Sequence, residues 1–155
     1  MDINELSPLE VFSYFQEICA IPHGSGNTGM IADYCLEFAK LHGLKARKDT
    51  SDNVVIFKAG SSGYEDREPV ILQGHLDMVC EKEPDCDIDM SVQSIKACTD
   101  GKMVWADGTT LGADDGIAVA FILAVLASDT IAHPPIQAVL TSCLLYTSPS
   151  PRDTR

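Results

Sequence analysis

The 155-residue chain is of single-domain length, and its 45% hydrophobic residues are enough for a packed core. Asp and Glu number 23 against 11 Lys and Arg, and the net charge of −12 would repel phosphate backbones and anionic lipid surfaces alike. Nucleic acid and membrane are therefore unexpected partners, while the carboxylates supply hard oxygen donors for divalent cations.

The opening MDINELSPLEVF has neither a basic nor an apolar leader region, and no apolar run approaches the roughly 18 residues of a membrane span. The six cysteines form no CxxC pair, and a chain of this size needs no disulfide staples. A cytosolic chain with reduced thiols is expected.

Ser7-Pro8-Leu9-Glu10 reads as a capping box with proline at the first helical position, followed by Leu9, Phe12, Phe15 and Cys19 at helical spacing. That helix ends before Pro22. HGSGNTG is a glycine-rich turn, and a second helix from about Thr28 to His42 places Ile31, Tyr34, Cys35 and Phe38 on one stripe before Gly43. His42 is expected to be solvated.

Leu44 to Lys48 and Val54 to Lys58 read as strands joined by a polar turn. In VILQGHLDMVCEK, Val70, Ile71 and Leu72 suggest a strand covered on both faces, with His75 and Asp77 at its C-terminal end. Ile95 to Thr99 and Met103 to Trp105 flank Asp100-Gly101, a hairpin signal. From Asp115 to Ala127 the apolar residues recur at helical spacing nearly all round, so that helix is expected to be buried. Ile136 to Thr141 reads as a core strand with apolar residues on both faces. Strands alternating with helices give an α/β class with a mixed β-sheet flanked by helices. Residues 1–141 are assigned to this domain. The remainder, 142–155, carries two Ser-Pro pairs and no periodicity, and is expected to be a disordered, non-native tail. CLLYTSPSPRD also resembles a translated sequencing adapter, which suggests an interrupted reading frame near Ser142.

Two short motifs carry chemistry. Residues two apart at a strand end can share one cleft, so His75 could be a metal ligand with Asp77 fixing its ring, or the two could be an ordinary loop pair. In GADDG, Asp114 and Asp115 stand at a loop-to-helix junction. Asp115 could simply cap the helix, or one carboxylate of the pair could bridge two cations. Asp85, Asp87 and Asp89 imitate a calcium loop, but Met90 stands where glycine is needed and Lys96 where the bidentate glutamate belongs. GSGNTG follows a helix and a proline rather than a strand, so it fails the dinucleotide fingerprint. Cys80 is a lone thiol without a placed base, and His23 and His133 read as structural.

Taken together, GHLDMVCEK and DGTTLGADDGIAVA resemble the M20 family of dinuclear zinc peptidases, on the aminoacyl-histidine (Xaa-His) dipeptidase branch. The similarity runs from the first helix and IPHGSGN through HPPIQAVLT, about the first 141 residues. It implies the N-terminal part of a peptidase catalytic domain, with His75 as a zinc ligand, Asp77 as the catalytic residue that orients it, and Asp114 bridging two Zn2+ ions or other divalent metals. It also implies a cis peptide leading into Asp115, a small dipeptide substrate hydrolysed by zinc-activated water, and a homodimer built through a lid domain. The acidic pair that follows the last strand in the family, one of them the general base, is replaced here by SCLLY. The later ligands are absent, so this chain itself is expected to be nearly inactive and its last strand to lack a neighbour. The alternatives are another M20 peptidase, an N-acyl amino acid amidohydrolase, or a non-catalytic metal-binding remnant.

Overall fold

The structure is a computed structural model and describes residues 2–143. After a short 3-10 turn at Ile3–Glu5 come α1 (Leu9–Cys19), α2 (Gly29–Leu41), β1 (Lys45–Lys48), β2 (Val54–Lys58), β3 (Val70–His75), β4 (Ala97–Thr99), β5 (Val104–Ala106), α3 (Ala113–Ala127) and β6 (Ile136–Thr141). The order β1-β2-β6-β3 makes a mixed sheet: β1 and β6 run antiparallel to β2, and β3 runs parallel to β6. β4 and β5 form a separate hairpin, whose turn is held by Asp100 Oδ1 accepting from the backbone of Lys102 and Met103. This is the expected α/β arrangement, and the proposed tail beyond residue 143 lies outside the described residues.

Alternation along β2 and β6 divides the sheet into two unlike faces. Val54 and Ile56 pair with Leu140 and Ala138, and all four are buried. They join Phe15 and Ile18 of α1, Ile31 and Cys35 of α2, and Val119 and Leu123 of α3 in one hydrophobic cluster. Each such large side chain, fully removed from water, contributes about 1.5–3 kcal/mol. The opposite face, with Val55, Phe57 and Val139, is only half-buried.

Several expectations are corrected. Pro8 is extended (ψ 131°) and caps α1 from outside, so the helix begins at Leu9 and no side chain caps it; Ser7 is one residue too far away to do so. Within α3, Phe121 is 49% exposed, so the apolar circumference is not wholly covered. The last strand, β6, does not lack a neighbour, because it runs between β2 and β3. The edges are β1 and β3, and in β3 Val70 and Ile71 are 43% and 64% exposed rather than covered on both faces. An apolar run alone cannot distinguish an edge from an interior strand, since both select the same β-branched residues.

Lys58, at the end of β2, reaches across to the C-terminus of α3. Its Nζ donates to the carbonyls of Leu126 (2.9 Å), Val125 (3.3 Å) and Ser128. Those carbonyls lie in the last turn and just beyond it, where α-helix carbonyls have no partner of their own, and the cation also complements the helix dipole. Burial pulls the Lys58 pKa below the usual lysine value, and the Asp129 carboxylate opposes that shift.

Two outcomes are expected. Replacing Lys58 by Met should lower the unfolding free energy by about 1–2 kcal/mol in urea titrations. Ile71→Lys, which places a charge on the open edge, should reduce concentration-dependent association in sedimentation velocity while changing stability by no more than about 0.5 kcal/mol.

Candidate metal centre

The parallel register pairs His75, the last residue of β3, with Thr141, the last of β6. Leu76 then donates its backbone N–H to the Thr141 carbonyl (2.7 Å), which carries the pairing one step past the strand end. His75 and Asp77 are both buried here. The third strand-end neighbour is the start of α3, where Gly112 has φ +71° and lies so close to Met78 that a Cβ would stand 2.7 Å from its Sδ. Only glycine allows the loop to approach this closely.

The structure brings His75, Asp77 and Asp114 together. Nδ1 of His75 is 3.0 Å from both the carbonyl oxygen and Oδ1 of Asp77, and Nε2 is 3.2 Å from Oδ1 of Asp114. Both Asp77 oxygens can only accept, so Nδ1 carries a proton. The Asp114–Asp115 peptide is cis, and both residues depart from helical φ/ψ although they lie within the span of α3. Their side chains therefore go different ways. Asp114 reaches the imidazole with its side chain 94% exposed. Asp115 Oδ2 accepts from the backbone N–H of His75 (3.2 Å), so the carboxylate ties α3 to β3.

Burial would push the His75 pKa down, but hydrogen bonds to Asp114 and Asp77 and the charges of Asp115 and Asp77 outweigh it and hold the pKa above the ordinary histidine value. Without a cation the ring lies between carboxylates that favour its protonated form. Imidazole and carboxylate suit zinc and related divalent ions, so the donors fit a metal in kind. In number they do not complete a site: among the described residues no group of three or more His, Cys, Asp or Glu side chains is placed to hold a metal ion.

Ser25, read from the sequence only as part of a glycine-rich turn, enters this site. Its hydroxyl donates to Asp77 Oδ2 at 2.6 Å. The two residues are 52 positions apart, and no local pattern marks the pairing. The remaining candidates stay outside. His23 is buried, with Nδ1 2.5 Å from the Ile21 carbonyl, and burial lowers its pKa. His133 is buried with Nδ1 2.8 Å from the Pro134 carbonyl, while His42 is exposed and stacks on Phe38. Cys80 is exposed, and burial of its thiol together with the Glu81 charge raises its pKa, the wrong direction for a thiolate nucleophile.

A raised folded-state pKa means that the charged His75 contributes its full stability below the unfolded value of about 6.5, and that this contribution is lost as pH rises through the folded value. In chelator, the stability gap between wild type and His75→Gln should be largest below about pH 6.5 and shrink toward alkaline pH. Urea melts across that range test the sign, and a gap that widens with pH contradicts it.

No family model matches the chain. Over 140 residues, 90% of its length, it is 41% identical to the cytosol non-specific dipeptidase of Escherichia coli (strain K12), of which it covers 29%. Among solved structures, the aminoacylhistidine dipeptidase of Vibrio alginolyticus superposes with a TM-score of 0.90 at 42% identity, over 93% of this chain and 29% of that one. A tripeptidase from Staphylococcus aureus superposes with a TM-score of 0.68 at 24% identity, over 87% of this chain and 36% of that one, a likeness of fold alone. The chain therefore spans under a third of the length of the two relatives that it matches at above 40% identity. Over nine tenths of its residues the chain is thus similar, in sequence and in fold, to under a third of these dipeptidases.

Proposed function

We propose that this chain supplies one part of the metal centre of a cytosolic dipeptidase that hydrolyses Xaa-His dipeptides, with His75 and Asp114 as donors and Asp77 orienting His75. The observation that supports this reading is the setting of one ring. Its Nδ1 is fixed by Asp77 and its Nε2 turned to Asp114, 39 residues away, where two parallel strands end. Open α/β sheets collect ligands at such strand ends. An imidazole backed by a carboxylate is also the usual support for a histidine that binds metal.

When bound, two divalent cations, zinc first among them, would polarise the scissile carbonyl and lower the pKa of the attacking water. The chain's own residues do the rest of what can be assigned. Asp77 keeps the proton on Nδ1, so that the Nε2 lone pair is the one offered to a cation. Asp114, whose side chain is 94% exposed, would be the carboxylate donor to those cations, in a cleft open to a small peptide.

The resemblance puts a general-base glutamate and an acidic ligand just after the last strand, where this chain has Ser142 and Cys143. Proton transfer by a placed base is worth about 10²–10⁴-fold. The 155 residues alone would therefore be nearly inactive, and hydrolysis would belong to a protein of the relatives' length. Homodimerisation through a lid domain would likewise rest on residues outside this chain.

Given Zn2+ and an Xaa-His dipeptide, the 155-residue chain should release no histidine above the uncatalysed rate, whereas a chain extended to the relatives' length should. In that extended protein Asp77→Ala should lower kcat/KM about 10–100-fold. Preferential cleavage of tripeptides or N-acyl amino acids would move the assignment to another peptidase or an amidohydrolase. Zinc binding without any hydrolysis would make the site a non-catalytic remnant.

A further inference from the structure

We infer that Ser25 is a positioning residue for the metal centre, holding the Asp77 carboxylate in the orientation that fixes the proton of His75 on Nδ1. This rests on the reading of His75 as a donor, and it adds to that reading a residue from a separate part of the chain.

The carboxylate of Asp77 is 8% exposed and divides its two oxygens between two partners. Oδ1 takes the imidazole Nδ1–H at 3.0 Å, and Oδ2 takes the Ser25 hydroxyl at 2.6 Å. A buried carboxylate with one oxygen unpaired would lose the stabilisation of a charge-assisted hydrogen bond and could rotate away from the ring to find a new donor. The Ser25 bond closes that route, because rotating the carboxylate would break both bonds together.

Ser25 is itself held on the backbone. Gly24 forms a parallel bridge with Met78, the Ser25 N–H donates to the Met78 carbonyl (3.1 Å), and the Met78 N–H donates to the His23 carbonyl (3.0 Å). Its turn is closed by the Asn27 N–H donating to the Gly24 carbonyl (2.7 Å), with Gly26 at φ +81°. Gly24 leaves no room for a side chain, since a Cβ there would meet Cys80 Sγ at 2.7 Å. The turn is therefore pressed against the segment that carries Asp77, and its main-chain bonds hold Ser25 beside that carboxylate.

The two ring nitrogens face unequal competitors. Nδ1 meets both the backbone carbonyl and the buried carboxylate of Asp77, whereas Nε2 meets Asp114, whose side chain is 94% exposed and solvated. Loosening the carboxylate removes one of the two acceptors that hold the proton on Nδ1, and so shifts the neutral ring toward the proton on Nε2, the nitrogen needed free for a cation. Losing an outer partner of this kind typically weakens metal affinity about 10–100-fold.

The test uses the whole 155-residue chain labelled with 15N, at an alkaline pH where the rings are neutral. In wild type the His75 ring shifts should report the proton on Nδ1. Ser25→Ala should move them toward the Nε2–H form while the His133 ring, remote from the turn, stays unchanged. Ser25→Thr, which keeps the hydroxyl, should restore the wild-type pattern. A folded Ser25→Ala chain that keeps the wild-type His75 tautomer overturns the inference. If the alanine chain fails to fold, the threonine chain decides: a wild-type tautomer supports the role of the hydroxyl, and a lost one overturns it. Added Zn2+ then tests the underlying reading separately. If the tautomer responds to Ser25 and Zn2+ leaves the His75 ring unperturbed, the positioning role stands and the assignment of His75 as a donor fails.

Discussion

The parallel pairing of β3 with β6, from Val70 opposite Ile136 to His75 opposite Thr141, is the constraint on which the rest of this structure depends. It joins strands separated by a hairpin and a helix, and it determines which strand ends share a cleft. Because the two strands point the same way, their C-terminal ends lie side by side. His75 closes β3, and Asp77 lies two residues beyond it. The start of α3 comes down between them and the solvent, tied to β3 by the Asp115 carboxylate on the His75 N–H.

That bond explains the division of labour in the Asp-Asp pair. Adjacent carboxylates on a continuous helix would project about 100° apart from one face and compete for the same helix end. Here both residues leave helical geometry, so one carboxylate turns inward to a backbone donor and the other outward to the imidazole. One side chain acts as a structural tie and its neighbour as a candidate donor.

The distribution of apolar surface gives a second view of the same architecture. The helices share one hydrophobic cluster with the face of Val54, Ile56, Ala138 and Leu140, while the opposite face is half-buried and the β3 edge is open. The core itself is nevertheless closed around α1, α2 and α3. The Lys58 ammonium further secures the C-terminus of α3, by hydrogen bonds that no helix can make for itself.

Periodicity and turn chemistry in the sequence by themselves determined the three helices, the strands and the hairpin, because helical stripes, alternation and Asp-Gly are local signals written within a dozen residues. They also singled out His75, Asp77, Asp114 and Asp115, since imidazole beside carboxylate and paired carboxylates at a helix start are short patterns. Only the tertiary structure decided what those side chains meet. It made β3 an edge rather than an interior strand, took Asp115 away from a capping role, and brought Ser25 to Asp77 across 52 residues. The reason is physical: burial, strand order and hydrogen bonds between distant segments depend on how elements pack, and a local pattern of residue types is compatible with several packings.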